Sequence, residues 1–537
     1  MKDEEVYGYK FFTKDNLYLS GFLIAAIVLY TSDLGNLPLR DWDEGIVAGV
    51  ARNIWRGAAG GFTWLYPTIN YGDPYWNKPP LIHGLIAVSY QLFGVSEWST
   101  RIIPALLTAC SVPLLYLIGI EIFATRLTAI FSALVYLTLL PVVRHGRVAM
   151  LDGAIACWFC LAVWCLLRGR KHSSWFLGTG IAIGLICLTK GMMMGVLLGG
   201  ITLIFIAWDS PWILRSPRIW VGLVLGVMPA IAWYGLQYLR YGEQFLGISL
   251  GAQTFNRIWE PVSSLSSPPW YYLAEIAKYS LPWLIFLPYG FKLAFDNRHD
   301  SWGKLTLVWT GIYLLAISLM ATKLPWYVIP LYPGLSLLVG ASLGRVWTKN
   351  QAPYFWRISL SLLALICWVA GGYYGLVDVA SGIDLALILV VVAISFTLAS
   401  VMLWLSSRYF IPVIITGFYL ALLLLFNSSH WLWELNEAFP VKPVAEMLKI
   451  SAPPQKKIYT VHHSLRPSLE FYSDRVVIPA SDEQLQKYWQ EKKPVYLLVD
   501  QDAINRLNLK PHKQLGKKLD APMWQLITQA QTTTMQP

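Results

Sequence analysis

The sequence predicts a mainly α-helical protein that crosses a membrane many times and carries a small α/β domain at its carboxyl end. Hydrophobic residues make up 56% of the 537 residues and charged residues only 14%, whereas soluble domains carry about 25% charge. The apolar residues gather in long runs separated by short charged turns. After residue 435 the pattern changes to alternating short strands and helices. These three observations define a polytopic membrane protein with an appended domain.

The apolar runs predict about thirteen membrane spans. The first run covers residues 17–30 and is followed by no small-residue cleavage motif, so we interpret it as a retained span and not as a signal peptide. The run over 81–95 is short for a bilayer-crossing helix, which needs about 20 residues, and predicts an interfacial helix. The remaining spans are predicted near 102–123, 127–143, 151–167, 175–188, 192–208, 219–238, 281–295, 305–320, 326–343, 358–377, 385–405 and 410–426.

Loop charge predicts the orientation. Alternate loops are rich in Lys and Arg, which remain on the cytoplasmic side of a plasma membrane; they hold Arg168, Arg170, Lys171, Arg215, Arg218, Arg298, Lys304, Arg345, Lys349, Arg357 and Arg408. The amino terminus is therefore predicted inside and the carboxyl terminus outside, with the first outer loop over 34–100. This bias also explains the net charge of +11. Without a basic arm or a nucleic-acid module, nucleic-acid binding is not expected.

The transmembrane domain is predicted to cover 1–435 and an extracytoplasmic α/β domain to cover 436–537. Amphipathic helices are predicted over 441–450 and 481–492, the second opened by a capping box at Ser481 and Gln484. Short buried strands are predicted over 457–462, 475–480 and 494–500. This segment has no nucleotide-binding glycine pattern. We expect the domain to cap the membrane part or to steer an acceptor.

Acidic residues open the first outer loop, at Asp41, Asp43 and Glu44. One interpretation is local: Asp41 and Glu44 match the capping box of a helix over 45–56, whose positive end favours carboxylates. The other is chemical: Asp43 or Glu44 is a general base that takes a proton from an acceptor hydroxyl. The acidic cluster alone leaves both interpretations open.

A lysine closes the same loop, in Tyr75-Trp76-Asn77-Lys78-Pro79-Pro80. The two prolines restrict the backbone, and Tyr and Trp gather at headgroup level. A lysine held at that depth suits a phosphate. Several other cations lie on the predicted outer face, although Lys and Arg generally remain on the cytoplasmic side. Either they bind an anionic ligand, or they anchor helix ends to the lipid headgroups. They are Arg101, Arg144, Arg147, Lys190, Arg257 and Lys323.

Asp152 is the third candidate, because it stands where a span begins. It could pair with Arg144 or Arg147 as a structural ion pair. Ionisable groups at the edge of a membrane helix otherwise suggest a functional site.

Several ordered motifs resemble those of the C-type membrane glycosyltransferases, which have the GT-C fold. The similarity is greatest to the aminoarabinose transferases of lipid A modification and to the protein O-mannosyltransferases. It implies a polyprenyl-phosphate sugar donor, no nucleotide sugar or other nucleotide cofactor, and transfer on the periplasmic side of a bacterial inner membrane. The motifs are Trp42-Asp43-Glu44, Arg52, Tyr75-Trp76-x-Lys78-Pro79-Pro80, Leu151-Asp152, Leu188-Thr189-Lys190-Gly191, Pro269-Trp270-Tyr271-Tyr272-Leu273, Lys323-Leu324-Pro325-Trp326-Tyr327 and Pro330-Leu331-Tyr332-Pro333.

The resemblance implies a role for each candidate. Asp43 matches the catalytic aspartate of the family, and Glu44 and Asp152 would orient the acceptor or a cation. The donor lipid phosphate would be bound by Lys78 and Arg257, together with Tyr75, Lys190 and Lys323. Asn77 stands where the aminoarabinose transferases have glutamate, which leaves a divalent metal ion open, with His83, His145 and His430 as further candidate ligands.

The predicted function is thus inverting transfer of a sugar from a polyprenyl-phosphate carrier to a hydroxyl or phosphate group of a glycolipid such as lipid A, or of a protein, on the outer face of the membrane. The alternative is a multi-span lipid or polysaccharide transporter or flippase. A transporter would carry charged groups near the bilayer midplane, whereas the middles of these apolar runs hold almost none. A third possibility is a non-catalytic scaffold for the outer domain. The sequence does not identify the sugar or the acceptor.

Overall fold

A computed structural model describes residues 2–41, 43–69, 72–261, 267–377, 379–431, 441–454, 456–461, 466–491, 495–509, 513–515 and 524–528. The chain divides into two compact units. The helical unit comprises Met1–Leu34, Trp76–Ile82 and Arg101–Trp431, and the mixed unit comprises Gly35–Tyr75, His83–Thr100 and Leu432–Pro537. The first loop is thus grouped with the carboxyl-terminal segment, unlike in the predicted division at 435, which itself falls outside the described residues.

The helical unit is a multi-pass bundle. Within the described ranges, eight helices are long and apolar enough to span a membrane, or nine when the bent pair Arg126–Leu137 and Leu140–Gly146 counts as one span. The prediction of many spans is confirmed, while the count of thirteen and the orientation stay predictions. The eight are Glu97–Ile122, Asp152–Gly169, Met192–Asp209, Pro217–Tyr241, Ser301–Leu319, Pro325–Lys349, Tyr354–Leu376 and Gly382–Trp404.

Other predicted spans form shorter or broken helices. The run over 281–295 is a 3-10 turn, Trp283–Phe286, followed by Leu287–Asp296, and the run over 326–343 starts as the 3-10 helix Pro325–Leu331 before Tyr332–Lys349. A proline in the first turn marks each new start, since proline has no backbone N–H for an inner turn. The other helices are Lys2–Thr31, Leu81–Phe93, Trp175–Lys190, Glu243–Leu246, Asn256–Trp259, Tyr271–Tyr279 and Phe410–Phe426, with the π-helix Gly247–Phe255 and 3-10 turns Ala58–Gly60 and Pro211–Arg215.

Glycines bring two helices of this bundle into backbone contact. A Cβ on Gly184 of Trp175–Lys190 would lie 1.8 Å from the carbonyl oxygen of Gly226 in Pro217–Tyr241, and one on Gly180 would lie 2.0 Å from the backbone nitrogen of Leu223. Small residues four apart allow this approach between membrane helices. The contact holds the helix that ends at Lys190.

The mixed unit contains a five-stranded sheet. Its strands are β3 (Ile458–Val461), β4 (Val477–Ala480), β5 (Tyr496–Val499), β6 (Lys513–Leu515) and β7 (Gln525–Thr528), after the small antiparallel pair β1 (Thr68–Ile69) and β2 (Asp73–Pro74). The order is β4-β3-β5-β7-β6, with parallel pairing of β3 to β4 and β5 and antiparallel pairing of β7 to β5 and β6. The helices are Asp43–Arg56, Val441–Ser451, Pro467–Ser473, Asp482–Gln490 and Gln501–Arg506.

The predicted elements of the carboxyl-terminal segment are confirmed where they are described. Both amphipathic helices and the cores of all three strands form, and the capping box of Ser481 and Gln484 is present. β6, β7 and the helices Pro467–Ser473 and Gln501–Arg506 were not predicted. The predicted ends at 462, 492 and 494 fall outside the described residues.

Candidate active site

A buried ion pair joins two of the predicted site residues in the helical unit. Asp152 begins the helix Asp152–Gly169, and Lys190 ends the next helix, Trp175–Lys190. The Lys190 Nζ lies 2.5 Å from an Asp152 carboxylate oxygen, and the two side chains are 9% and 3% exposed. Two charges can be held in such burial only because they neutralise each other.

Tyr327 connects this pair to Arg257. Its ring lies under Lys190, whose Nζ is 4.8 Å from the ring centroid, a cation–π distance. The Tyr327 hydroxyl accepts a hydrogen bond of 2.8 Å from the Arg257 guanidinium, which also donates to Gln253 Oε1 at 2.7 Å. The π-helix Gly247–Phe255 and the helix Asn256–Trp259 present Gln253 and Arg257. Tyr327 is therefore shared by two predicted phosphate ligands.

Lys323 lies on a turn that is paired to the Arg257 backbone. The Arg257 carbonyl accepts from the Thr322 N–H at 3.1 Å, and the Ile258 carbonyl accepts from Ala321 at 2.9 Å. Lys323 is 5% exposed, and its ammonium donates to the Met320 carbonyl. Desolvation lowers the pKa of Lys323 from its ordinary value. We call Asp152, Lys190, Arg257, Lys323 and Tyr327 the cation cluster; its three cations exceed its one carboxylate, which favours an anion.

Arg144 and Arg147, considered above as partners for Asp152, contact other groups. Arg144 Nε donates to the Trp431 carbonyl at 3.1 Å. The Arg147 guanidinium donates to the Ser32 carbonyl and lies 4.9 Å from the Trp431 ring centroid. Among the described residues, the ion-pair partner of the Asp152 carboxylate is Lys190.

Lys78 and Tyr75 lie at the end of the first outer loop. Lys78 is half-buried beside the buried Pro79 and Pro80 and belongs to the helical unit. Tyr75 belongs to the mixed unit, where its buried ring meets that of His83 edge-on at 5.3 Å and packs in an apolar cluster with Val50 and Ile54. These contacts give Tyr75 a packing role, and phosphate binding by either residue stays a prediction.

The acidic residues of the loop lie in the mixed unit, where helix Asp43–Arg56 begins at Asp43; we call it the loop helix. Asp43 is half-buried. Glu44 is buried, and its carboxylate accepts from the Arg40 N–H at 2.8 Å, which is the backward contact of a capping box displaced by one residue. Glu44 thus holds the turn that presents Asp43.

Asp41 binds residues near the end of the chain. Its Oδ1 accepts from the Ser468 N–H at 3.1 Å and from the Ser468 hydroxyl, and its Oδ2 lies 3.5 Å from Arg466 Nε. Burial raises the pKa of Asp41, an effect that the hydrogen bonds from Ser468 and the charge of Arg466 only partly offset. The helix Pro467–Ser473, which we call the docking helix, therefore receives this carboxylate at its amino-terminal turn.

A cavity of about 30 Å³ lies between the loop helix and the docking helix. Arg52 and Arg56 line it from one side and Glu470 and Phe471 from the other. Burial raises the pKa of Glu470 to about 7, although the Val477 N–H and Arg52 act in the opposite direction. Near neutral pH the Glu470 carboxyl is therefore partly protonated.

The close packing of the two helices predicts opposite effects for two glycines. A Cβ on Gly45 would lie 2.5 Å from the Ser468 backbone nitrogen, whereas one on Gly49 meets no heavy atom within 4 Å. We expect Gly45→Ala to lose about 1–3 kcal/mol of stability through overpacking and Gly49→Ala to gain about 0.5–1 kcal/mol through helix propensity. Thermal unfolding of the purified variants measures both. Equal shifts for the two alanines would contradict this packing.

Within the described ranges, no group of three or more His, Cys, Asp and Glu residues could hold a metal ion. His83 instead contacts the Tyr75 ring, and the His145 ring lies 6.4 Å from that of Trp326. The involvement of a divalent metal ion stays open, as does a role for His430.

The structure thus brings Asp152, Lys190, Arg257 and Lys323 together in the helical unit and places Asp43 and Glu44 in the mixed unit. Sequence reasoning missed Tyr327 and Gln253 as members of the cluster, although Tyr327 stands in the Lys-Leu-Pro-Trp-Tyr motif. It also missed Ser468 and Arg466, which no local pattern marks.

The chain is similar to several known proteins. Residues 77–234 match the family model "Dolichyl-phosphate-mannose-protein mannosyltransferase". An undecaprenyl phosphate-α-4-amino-4-deoxy-L-arabinose arabinosyl transferase of Pseudomonas fluorescens is 28% identical over 281 residues, 51% of this chain and 50% of that protein. The crystal structure of ArnT from Cupriavidus metallidurans bound to undecaprenyl phosphate superposes with a TM-score of 0.78 at 19% identity, covering 96% of this chain and 98% of that one. The chain resembles the C-type membrane glycosyltransferases.

This confirms the resemblance predicted from the motifs. The chain spans about half the length of the arabinosyl transferase that it matches. An uncharacterized protein of Aquifex aeolicus is 26% identical over 502 residues, 90% of this chain and 91% of that protein. The family segment contains Lys78, Asp152 and Lys190, whereas Arg257 and Lys323 of the cation cluster follow it. The structural similarity to ArnT covers 96% of this chain and so is not confined to the family segment.

Proposed function

We propose that this protein is a membrane glycosyltransferase that transfers a sugar from a polyprenyl-phosphate carrier to a hydroxyl or phosphate group of a glycolipid or protein. The observation that supports it most directly is the cation cluster, in which Tyr327 joins Lys190 and Arg257 beside the buried Asp152. An excess of positive charge in a partly desolvated site suits a phosphate. The cluster lies in a fold shared with a transferase whose structure holds undecaprenyl phosphate.

The cluster would act on the leaving group. As the bond between the sugar C1 and the phosphate oxygen breaks, its electron pair moves to that oxygen and negative charge develops there. Arg257 and Lys190 would stabilise this charge, and the Tyr327 hydroxyl, bonded to Arg257 at 2.8 Å, would share the task. Donors fixed before the reaction are the most effective form of such stabilisation.

Asp43 is proposed as the base. It would take the proton of an acceptor hydroxyl while the acceptor oxygen forms its bond to C1 on the face opposite the phosphate, so one displacement inverts the sugar. Its place at the start of the loop helix, with Glu44 bonded back to Arg40, gives it a fixed backbone. We further propose that the reaction takes place on the periplasmic side of a bacterial inner membrane.

Reconstitution tests this function. The protein is placed in lipid vesicles with a polyprenyl phosphate that carries a radiolabelled sugar, and the label is followed into glycolipid and protein acceptors. Transfer of the label with release of polyprenyl phosphate is expected, and a nucleotide sugar should not replace the donor. Movement of the intact carrier between leaflets without cleavage would instead favour the transporter alternative.

Arg257→Gln tests the phosphate role of the cation cluster. Removing a charge-assisted hydrogen bond costs about 1.5–3 kcal/mol, so we expect the Kd for polyprenyl phosphate to rise about 10- to 100-fold. Arg298→Gln is the matched control, because Arg298 donates to the Phe295 carbonyl in a different, exposed turn. Binding of short-chain polyprenyl phosphate to the purified proteins is measured by calorimetry. Equal affinities for both variants would exclude Arg257 from the phosphate site.

A further inference from the structure

The loop helix is held by the carboxyl-terminal segment within the mixed unit. Asp41, two residues before the candidate base, accepts from the Ser468 N–H at 3.1 Å and from the Ser468 hydroxyl, and it lies 3.5 Å from Arg466. Asp41 is only 2% exposed. The first N–H groups of a helix have no hydrogen-bond partner within the helix. The Asp41 carboxylate accepts from one of these N–H groups in the docking helix, and the same hydrogen bond fixes the Asp41 side chain.

A second attachment lies just before Asp41. The Leu39 N–H donates to the Tyr472 hydroxyl at 2.7 Å, and that hydroxyl donates to Glu97 at 3.0 Å. Lys442 lies 2.6 Å from the same Glu97 carboxylate. The chain entering the loop helix is therefore held through hydrogen bonds that converge on one tyrosine.

A third attachment secures the other end of the loop helix. The Arg52 guanidinium donates to the Phe471 carbonyl at 2.5 Å. Arg56 makes two hydrogen bonds, of 2.8 and 3.0 Å, to the Asp474 carboxylate. The forked guanidinium fixes both distance and orientation in such a pair. The docking helix and its flanking residues thus hold the loop helix at both ends.

We propose that the carboxyl-terminal segment positions the candidate base, with Ser468 and Arg466 acting on Asp43 through Asp41. This inference rests on the proposed function, because it assigns these residues to the reaction in which Asp43 is the base. They are positioning residues: their contacts described above are to Asp41. Misplacing a reacting group by about 1 Å can cost a factor of 10² in rate, so the attachment sets the rate of transfer without binding the donor phosphate.

A graded replacement of Asp41 tests the proposal. Asp41→Asn keeps an oxygen that can accept from Ser468 but loses the charge facing Arg466, whereas Asp41→Ala loses both. We expect kcat to fall about 10-fold for Asn and about 100-fold for Ala, while the KM for the donor stays within a factor of two. The kcat of Ser468→Ala should lie between those of Asp41→Asn and Asp41→Ala. Arg506→Gln is the control, because it breaks an exposed ion pair with Asp482 in the same unit.

Backbone hydrogen exchange tests the attachment of the loop helix independently of sugar transfer. We expect backbone amides over 43–56 to exchange at least tenfold faster in Asp41→Ala than in the wild type or in Arg506→Gln. If exchange rises but the wild type transfers no sugar, the proposed function fails and the attachment of the loop helix stands. If wild-type transfer is present and neither exchange nor kcat changes in Asp41→Ala, the positioning role is overturned. A rise in donor KM at constant kcat would also overturn it.

Discussion

Asp43→Asn is expected to lower the initial rate of sugar transfer by about 10²- to 10⁴-fold, the usual contribution of a general base. The amide is isosteric with the carboxylate but cannot accept the proton. Asp43 is a half-buried residue in the first turn of the loop helix, where an acidic residue contributes only about 0.3–1 kcal/mol through the helix dipole. The protein level should therefore stay unchanged, and labelled transfer in vesicles is the measurement.

Asp482→Asn provides the matched control for that replacement. Asp482 also begins a helix, Asp482–Gln490, and forms an exposed ion pair with Arg506. Both variants lose one carboxylate from a first helical turn, so any general effect on folding is similar in the two. Full transfer by Asp43→Asn would remove Asp43 as the base, and equal loss in the two variants would point to folding instead.

Much of the helical unit could be predicted because a membrane span requires a long apolar run, which composition reveals directly. The breaks within the apolar runs over 281–295 and 326–343 depend on single proline residues. Pro288 and Pro333 each stand in the first turn of a new helix, after a 3-10 turn. A hydropathy pattern averages over such residues, so it finds the apolar stretch and misses its break.

The pairing of Asp152 with Lys190 could have been predicted from the sequence. The helices Asp152–Gly169 and Trp175–Lys190 are joined by a short connection, so the start of the first lies beside the end of the second. Arg144 and Arg147, which are closer to Asp152 in sequence, are the partners that the sequence suggests. Their guanidinium groups contact the Trp431 and Ser32 carbonyls, which are distant in sequence and carry no charge pattern.

The attachment of Asp41 to Ser468 could not be predicted, since 427 residues separate them. The local pattern around Asp41 fits a capping box, and Glu44 does bond back to the preceding turn, at Arg40. Ser468 lies in the docking helix, which has only seven residues. A helix of about two turns is too short to be detected from the periodicity of its apolar residues. Tertiary contacts of this kind follow from the fold of the mixed unit and not from any local motif.

Lys190→Met is expected to have the second large effect, on both stability and donor binding. It leaves the Asp152 carboxylate, 3% exposed, buried without its partner, and breaking a buried ion pair in this way costs about 3–5 kcal/mol. We expect a clear fall in the unfolding temperature, together with loss of polyprenyl phosphate binding. Lys171→Met is the control, because Lys171 is 59% exposed and Glu121, although 5% exposed, keeps its ion pair with Arg168 at 2.9 Å. Loss of an exposed partner of this kind costs at most about 1 kcal/mol.

The double variant Asp152→Asn/Lys190→Met separates the two roles of Lys190. It removes both charges, so no carboxylate is left unpaired, and most of the lost stability should return. If Lys190 serves the donor phosphate, the Kd for polyprenyl phosphate stays at least 100-fold above that of the wild type despite the recovered unfolding temperature. Recovery of binding along with stability would show that Lys190 is only the counter-ion of Asp152, and the phosphate would then be left to Arg257 and Tyr327, whose 2.8 Å hydrogen bond does not involve Asp152.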